Sequence, residues 1–366
     1  MFRAVSQLSG FVRLTLIALI LGLGFAPSAA QSVDTSLIAL SDCWKIPLNS
    51  AAVSSPVADK NQLYLAQEGG RVSAVSLVSG TRLWSAEIGG EIGSNIVPDG
   101  KNIYLVSNIA GKRSVLRSIS TISGIPNLET EIPYGDNLRV GISYGRLIVI
   151  YPNGTVAAYE FGSGKPAWQM TLPPINTATA VFNEQSIIVP TDDKKIQVIA
   201  AADGKILLTV PTRGTVTTVG MVEEDLVWGE DRGNLVRFDT EEKSLSWKYK
   251  NGARIGAVRN TERGILAASY DNFVYLLSGY NGDIRWKKRL PGRTAGMTVV
   301  GDTAVVLTIG DPTAVLISLE TGKQVGQVTT TEDDLFTFPP VVTGDQMIFF
   351  SSAQVVAKST KVCRTN

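Results

Sequence analysis

One hairpin signature returns along this chain at almost constant spacing. "GRVSAVSLVSGTRLW" ends at Trp84, "GTVAAYEFGSGKPAW" at Trp168, "GNLVRFDTEEKSLSW" at Trp247 and "NFVYLLSGYNGDIRW" at Trp286. Anchored on the turn residue four places before each tryptophan, the repeats fall at Gly80, Gly124, Gly164, Gly204, Lys243, Gly282 and Gly322, in steps of 44, 40, 40, 39, 39 and 40 residues. Each anchor follows a segment alternating with period two, such as "VSAVSL" or "LVRFD", and a second β-rich run such as "QLYLAQ" or "RLIVIY" lies upstream. Short runs rich in Val, Ile and Tyr between Gly, Asn and Asp turns are strands joined as hairpins. A unit of about 40 residues with four short strands is a blade that buries both faces only against neighbouring blades. The expected fold is therefore all-β: a β-propeller of four-stranded antiparallel blades.

The two ends supply the closure. The C-terminus, "FPPVV…QMIFFSSAQVVAKSTKVC", reads as three strands without a fourth, whereas the N-terminal "CWKIPL" is a fourth strand without a blade. Placing Trp44 at the tryptophan position puts Cys43 one place before it. Aligning "AQVVAKSTKVC" with "GRVSAVSLVSG" puts Cys363 on the anchor. The ends then make an eighth blade, with the N-terminal strand completing the last sheet, so that no edge is left open. Cys43 and Cys363 face each other across that seam, and a disulfide between them is expected in an oxidising compartment. Trp44, Trp84, Trp168, Trp247 and Trp286 recur around the ring instead of converging on one site. They are read as inter-blade packing.

Hydrophobic residues make up 44% of the chain and charged residues 18%, enough apolar material for a large core and against disorder. The formal charge is +1, so no bulk charge excess draws the protein to nucleic acid. There is no histidine, which removes the usual general base and the Ser-His-Asp triad. No P-loop, Rossmann fingerprint, nucleophile elbow or zinc spacing occurs. Arg3 and Arg13 flank the start of an apolar run, Leu14 to Phe25, followed by "APSAAQS". That reads as a secretory leader over residues 1–30, with cleavage expected after Ala30; the rival reading is an uncleaved anchor, although the run is short for a membrane span. Residues 31–42 are expected to form a linker, and 43–366 a single domain. The processed protein is expected to be exported to the periplasm or cell envelope, monomeric, soluble or peripheral rather than integral to the membrane.

The segments "AVSLVSGTRLW", "AYEFGSGKPAW" and "RFDTEEKSLSW" resemble the tryptophan-docking repeat of PQQ-like (quinoprotein-type) propellers, roughly A-x-D-x-x-x-G-K-x-x-W. The resemblance spans residues 43–363 and is nearest to the BamB family of outer-membrane assembly factors. It implies a non-catalytic scaffold that binds the POTRA domains of a BamA-like insertase through interblade loops on one face. The Arg213-Gly214 pair in "VPTRGTVTTV" stands at a comparable loop. Such proteins are usually lipoproteins. Here Cys43 follows "ALSD" well beyond the apolar run, so lipidation at Cys43 is not expected. The quinoprotein dehydrogenase branch implies PQQ and calcium, with adjacent cysteines under the cofactor. This chain has two cysteines 320 residues apart, and its acidic groups, Asp192-Asp193, Glu230-Asp231 and Glu332-Asp333-Asp334, stand at turns. No cofactor, metal or catalytic residue is assigned. The alternatives are a PQQ- and calcium-dependent dehydrogenase and a small-ligand or glycan binder.

The loops between blades hold one further pattern. "TRGTV", "ARIGAV" and "GRTAGM" place Arg213, Arg254 and Arg293 one blade apart, while matching loops carry Glu91, Asp136 and Glu332-Asp333-Asp334. A face basic over one arc and acidic over another is expected, with the arginines contacting a partner. In "VWGEDRG", Trp228 is a strand-end residue that could anchor a partner if exposed.

Overall fold

A computed structural model describes residues 38–110, 112–175 and 180–363; the expected leader lies outside the described residues. The chain forms eight four-stranded antiparallel sheets arranged as a ring of blades. Blades 1 to 7 occupy residues 57–87, 91–132, 139–171, 181–211, 216–250, 255–289 and 294–329. Blade 8 takes its three inner strands from residues 336–359 and its outermost strand from Ser41–Pro47. That strand begins two residues before the expected domain boundary at 43 and pairs with Gln354–Ser359, setting Trp44 opposite Ala357.

Alternation along each strand explains why the blades must ring. In blade 1, Leu63, Leu65, Val75 and Leu77 belong to one apolar cluster with blade 8, and Tyr64, Ala66, Val72 and Ala74 to the next one with blade 2. Period-two side chains serve two interfaces at once. The described core divides into eight such clusters, one per neighbouring pair of blades.

The tryptophan–glycine signature has a geometric cause that spans two blades. Each indole lies on the anchor glycine of the following blade: Trp44 on Gly80, Trp84 on Gly124, Trp168 on Gly204, Trp247 on Gly282 and Trp286 on Gly322. A Cβ on any of these glycines would stand 2.6–2.8 Å from the ring, closer than packed atoms approach. Each indole N–H also donates to a carbonyl of that blade, as from Trp44 to Leu77 at 2.8 Å and from Trp247 to Gly279 at 2.8 Å. The two anchors that are not glycine, Lys243 and Cys363, follow blades whose tryptophan position holds Leu208 and Gly326. Without an indole above it, the anchor can carry a side chain.

The seam uses that freedom. In every blade the register slips at the third residue after the anchor, as at Leu83, Ala167 and Arg285, so this residue is a bulge. In blade 8 the bulge residue is Cys43. It is bonded to Cys363, with Cα atoms 5.2 Å apart. Blade 2 accounts for the 44-residue step: its two middle strands, Asn102–Ile109 and Arg113–Ser120, have 8 residues each against 6 in blade 1. Its innermost strand is split into Glu91–Ile92 and Val97–Pro98.

Candidate partner-binding face

Strand direction assigns every loop to one of two faces. The front face collects the loops between blades and the turns between each blade's second and third strands. The rear face collects the turns after the first and third strands. Arg213, Arg254 and Arg293 all stand on the front, leading into blades 5, 6 and 7, and all three are exposed. Backbone bonds hold the last two loops against the turns beside them: Tyr270 N–H donates to Arg254 C=O at 2.9 Å and Ile309 N–H to Arg293 C=O at 2.8 Å.

The Arg254 and Arg293 guanidinium carbons lie 5.5 and 5.7 Å from the centroid of one ring, Tyr270. Two guanidiniums sharing an aromatic ring lose rotamer freedom before any partner arrives, and stacking on a ring face leaves the in-plane forked donors of a guanidinium free to bond. None of the three arginines forms an ion pair among the described residues. Tyr270 was not singled out in the sequence. Its signal was its place in the second-to-third-strand turn of blade 6, the blade that Arg254 enters and Arg293 leaves.

Arg213 is seated differently. Its N–H donates to Glu230 Oε1 at 3.2 Å, and Glu230, 1% exposed, also accepts from the Trp228 indole at 3.1 Å and from Asn234. A Cβ on Gly214 would stand 2.6 Å from Asp231 Oδ1 and 3.0 Å from Glu230 Oε2. Gly214 is buried and lets the loop close over these carboxylates, leaving Arg213 as the side chain displayed there. Trp228 is 3% exposed, so it is a core residue holding Glu230 and not a surface anchor.

The acidic loops divide by role. Glu91 and Asp136 line a cavity of about 660 Å³ above blades 1 to 3, beside Asn95, Asn108 and Tyr134. Asp136 Oδ1 accepts from the Tyr134 hydroxyl at 2.6 Å and from Asn108 at 2.9 Å. Glu332 and Asp333 are exposed, but Asp334 is 7% exposed and caps its blade. It accepts from Ser351 Oγ at 2.7 Å, Ser352 Oγ at 3.0 Å, Ala353 N–H at 2.9 Å and Gln354 Nε2 at 2.9 Å. Burial alone would raise its pKa, but these donors together hold the carboxyl below its usual range. With the folded pKa depressed, its contribution is complete above the unfolded value near pH 4 and fades as pH falls through the folded value. Asp334→Ala is expected to cost roughly 2–4 kcal/mol at pH 7 and less at pH 2.5, read from urea melts at both pH values. An equal loss at both would contradict this role.

Among the described residues no three of His, Cys, Asp and Glu gather in a group able to hold a metal. No helix of the described residues is long and apolar enough to cross a membrane.

The family model described as outer membrane protein assembly factor BamB matches residues 39–124 and 152–267, more than half of the chain. The chain belongs to the BamB family. The matched residues include three of the tryptophan–glycine pairs, Trp44–Gly80, Trp84–Gly124 and Trp168–Gly204. BamB from Moraxella catarrhalis superposes with a TM-score of 0.72 at 16% identity, covering 88% of this chain and 100% of that one. The computationally designed Ika8 protein reaches a TM-score of 0.74 at 11% identity, over 86% and 98% of the two chains. At these identities the structural likeness shows the propeller fold alone. The guanine nucleotide-binding protein G(I)/G(S)/G(T) subunit beta-1 of Homarus americanus is 28% identical over 119 residues, 28% of this chain; the match spans 35% of that relative's length.

Proposed function

We propose that this BamB-family propeller is an exported, non-catalytic scaffold in the cell envelope. It holds a protein partner against the basic arc of its front face, in the manner of an outer-membrane assembly factor. The observation that carries this reading is the trio Arg213, Arg254 and Arg293: exposed, without ion pairs among the described residues, and with two of the three fixed on Tyr270. Fixed guanidiniums favour a partner surface bearing carboxylates, which they engage with two parallel hydrogen bonds each. The partner class is an envelope protein with an acidic docking segment, a POTRA-like domain of an insertase being the first to test. The reading assigns no cofactor and no catalytic residue.

Changing Arg213, Arg254 and Arg293 together to glutamate tests it. The side chains stand on loops, so the variant should fold, losing about 1 kcal/mol for each stacked guanidinium. Capture of the envelope partner should fall at least tenfold, most strongly at low ionic strength, because rim charges act through screened fields. Equal capture by parent and variant in a pull-down from envelope extracts would remove the basic arc from the binding site.

A further inference from the structure

The rear face is divided as sharply as the front. On it, the third-to-fourth-strand turns of blades 1, 2, 4 and 7 pack on the first-to-second-strand turns of the same blades, as Leu77 N–H donates to Asn61 C=O at 2.9 Å and Thr121 N–H to Lys101 C=O at 3.0 Å. The turns of blades 1 and 2, and the segment that follows the third strand of blade 8, end in apolar residues: Val362 is 90% exposed, Val78 38%, Ile122 87% and Ile125 62%. Lysines stand beside them. Lys60, Lys361, Val78 and Val362 line one groove of about 470 Å³, and Lys60 Nζ reaches Gly100 C=O at 2.7 Å, next to Lys101. Lys60 and Lys101 form no ion pair among the described residues; Lys361 pairs with Asp345 at 2.9 Å.

The first-to-second-strand turns of blades 8, 1 and 2 set Asp345, Asp59 and Asp99 against these three lysines, whereas across the ring acids are in excess. The first-to-second-strand turns of blades 4 to 7 carry Glu184, Glu223, Glu224, Glu262 and Asp302, all exposed. Two of the bases there are paired locally, Lys205 with Asp203 at 2.6 Å and Arg263 with Asp302, while Lys243 and Lys323 are exposed among the surplus of acids. The chain joins the ring on this face. Ile38 bonds the start of blade 7's outermost strand, and the seam strand begins at Ser41 opposite Ser359.

Protruding apolar turn tips flanked by unpaired lysines, on the side where the upstream chain enters, match the chemistry of a bilayer surface. The tips reach the boundary between headgroups and acyl chains, and the lysines meet lipid phosphates. We propose that the rear turns of blades 8, 1 and 2 dock on an anionic lipid bilayer, with the acidic sector turned away. This site is independent of the front-face reading, and either can fail alone.

Cosedimentation with vesicles of phosphatidylethanolamine and phosphatidylglycerol tests it, using the form that begins at Gln31 and retains the whole closed ring. The parent should bind these vesicles, and bind less as salt rises. V78D/I122D should lower partitioning about tenfold or more, because it places charge where apolar area was buried. K60E/K101E should weaken binding and flatten its salt dependence. Tyr280→Asp is the control: Tyr280 is 91% exposed at the matching turn of blade 6. It should bind like the parent, and all variants should melt with it. No parental binding, or equal losses in V78D/I122D and Tyr280→Asp, would overturn the proposal. So would concentration-dependent dimerisation of the parent that V78D/I122D abolishes, which would assign the tips to a second copy.

Discussion

A chain lacking residues 31–47 is expected to aggregate and to lose its cooperative unfolding transition. The deletion removes the strand Ser41–Pro47, leaving Gln354–Ser359 as an open edge with unpaired backbone groups. It also removes Trp44, which belongs to the cluster between blades 8 and 1 and covers Gly80. Losing a buried tryptophan alone costs about 3–5 kcal/mol, against a total stability of about 5–15 kcal/mol for a folded domain. The lost strand adds to that, so a partly stable ring is not the expected product. Size-exclusion chromatography and a thermal melt decide the matter. A soluble, monomeric truncation with the parental melting temperature would show that the ring closes without its N-terminal strand.

The second large effect is expected at the covalent seam. The bond between Cys43 and Cys363 ties residues 320 apart, nearly the whole ring. On the chain-entropy account, a loop of that length stabilises the folded state by roughly 5–6 kcal/mol at most, because the opened unfolded chain regains its freedom. Cys43→Ser and Cys363→Ser, singly or together, should lower the melting temperature by roughly 5–10 °C in a domain of this size. The double variant should add little to either single one, since both remove the same link. Thiol titration of the unreduced, denatured parent should find no free thiol, and two after reduction. Two free thiols before reduction would contradict the seam bond, and unchanged melting in the serine variants would contradict its energetic role.

Much of the architecture was legible because a propeller writes its long-range order locally. The anchors, the period-two strands and the incomplete ends led to eight blades and to Cys43 facing Cys363, since each follows from one repeat aligned on another. What escaped the repeat alignment depends on two blades together. The tolerance of Lys243 for an anchor position becomes clear only beside Leu208 of the preceding blade, where no indole needs a glycine beneath it. Reading the anchor of one blade against the tryptophan position of the one before it would have found this rule. The candidate site was half legible. The spacing of Arg213, Arg254 and Arg293 placed them on one face, but the stacking partner Tyr270 lies in a different turn and has no repeat equivalent to point to it. Trp228 and Asp334 went the other way. Trp228, near a strand end, and Asp334, in a loop, both read as surface, yet three-dimensional packing buries them as parts of hydrogen-bonded caps. Loop residues are set by contacts between elements, and no single repeat contains those.

The most direct measurement of the central claim is photo-crosslinking in the native envelope from position 254, between the arginines of the basic arc. A photoreactive residue at 254 should give one dominant adduct with an envelope protein, and that adduct should fade when Arg213 and Arg293 are changed to glutamate. The same probe at Leu207, 60% exposed on the outermost strand of blade 4, serves as the reference site. Adducts of equal strength from 207 and 254, or none from 254, would contradict a scaffold that holds its partner on the front face.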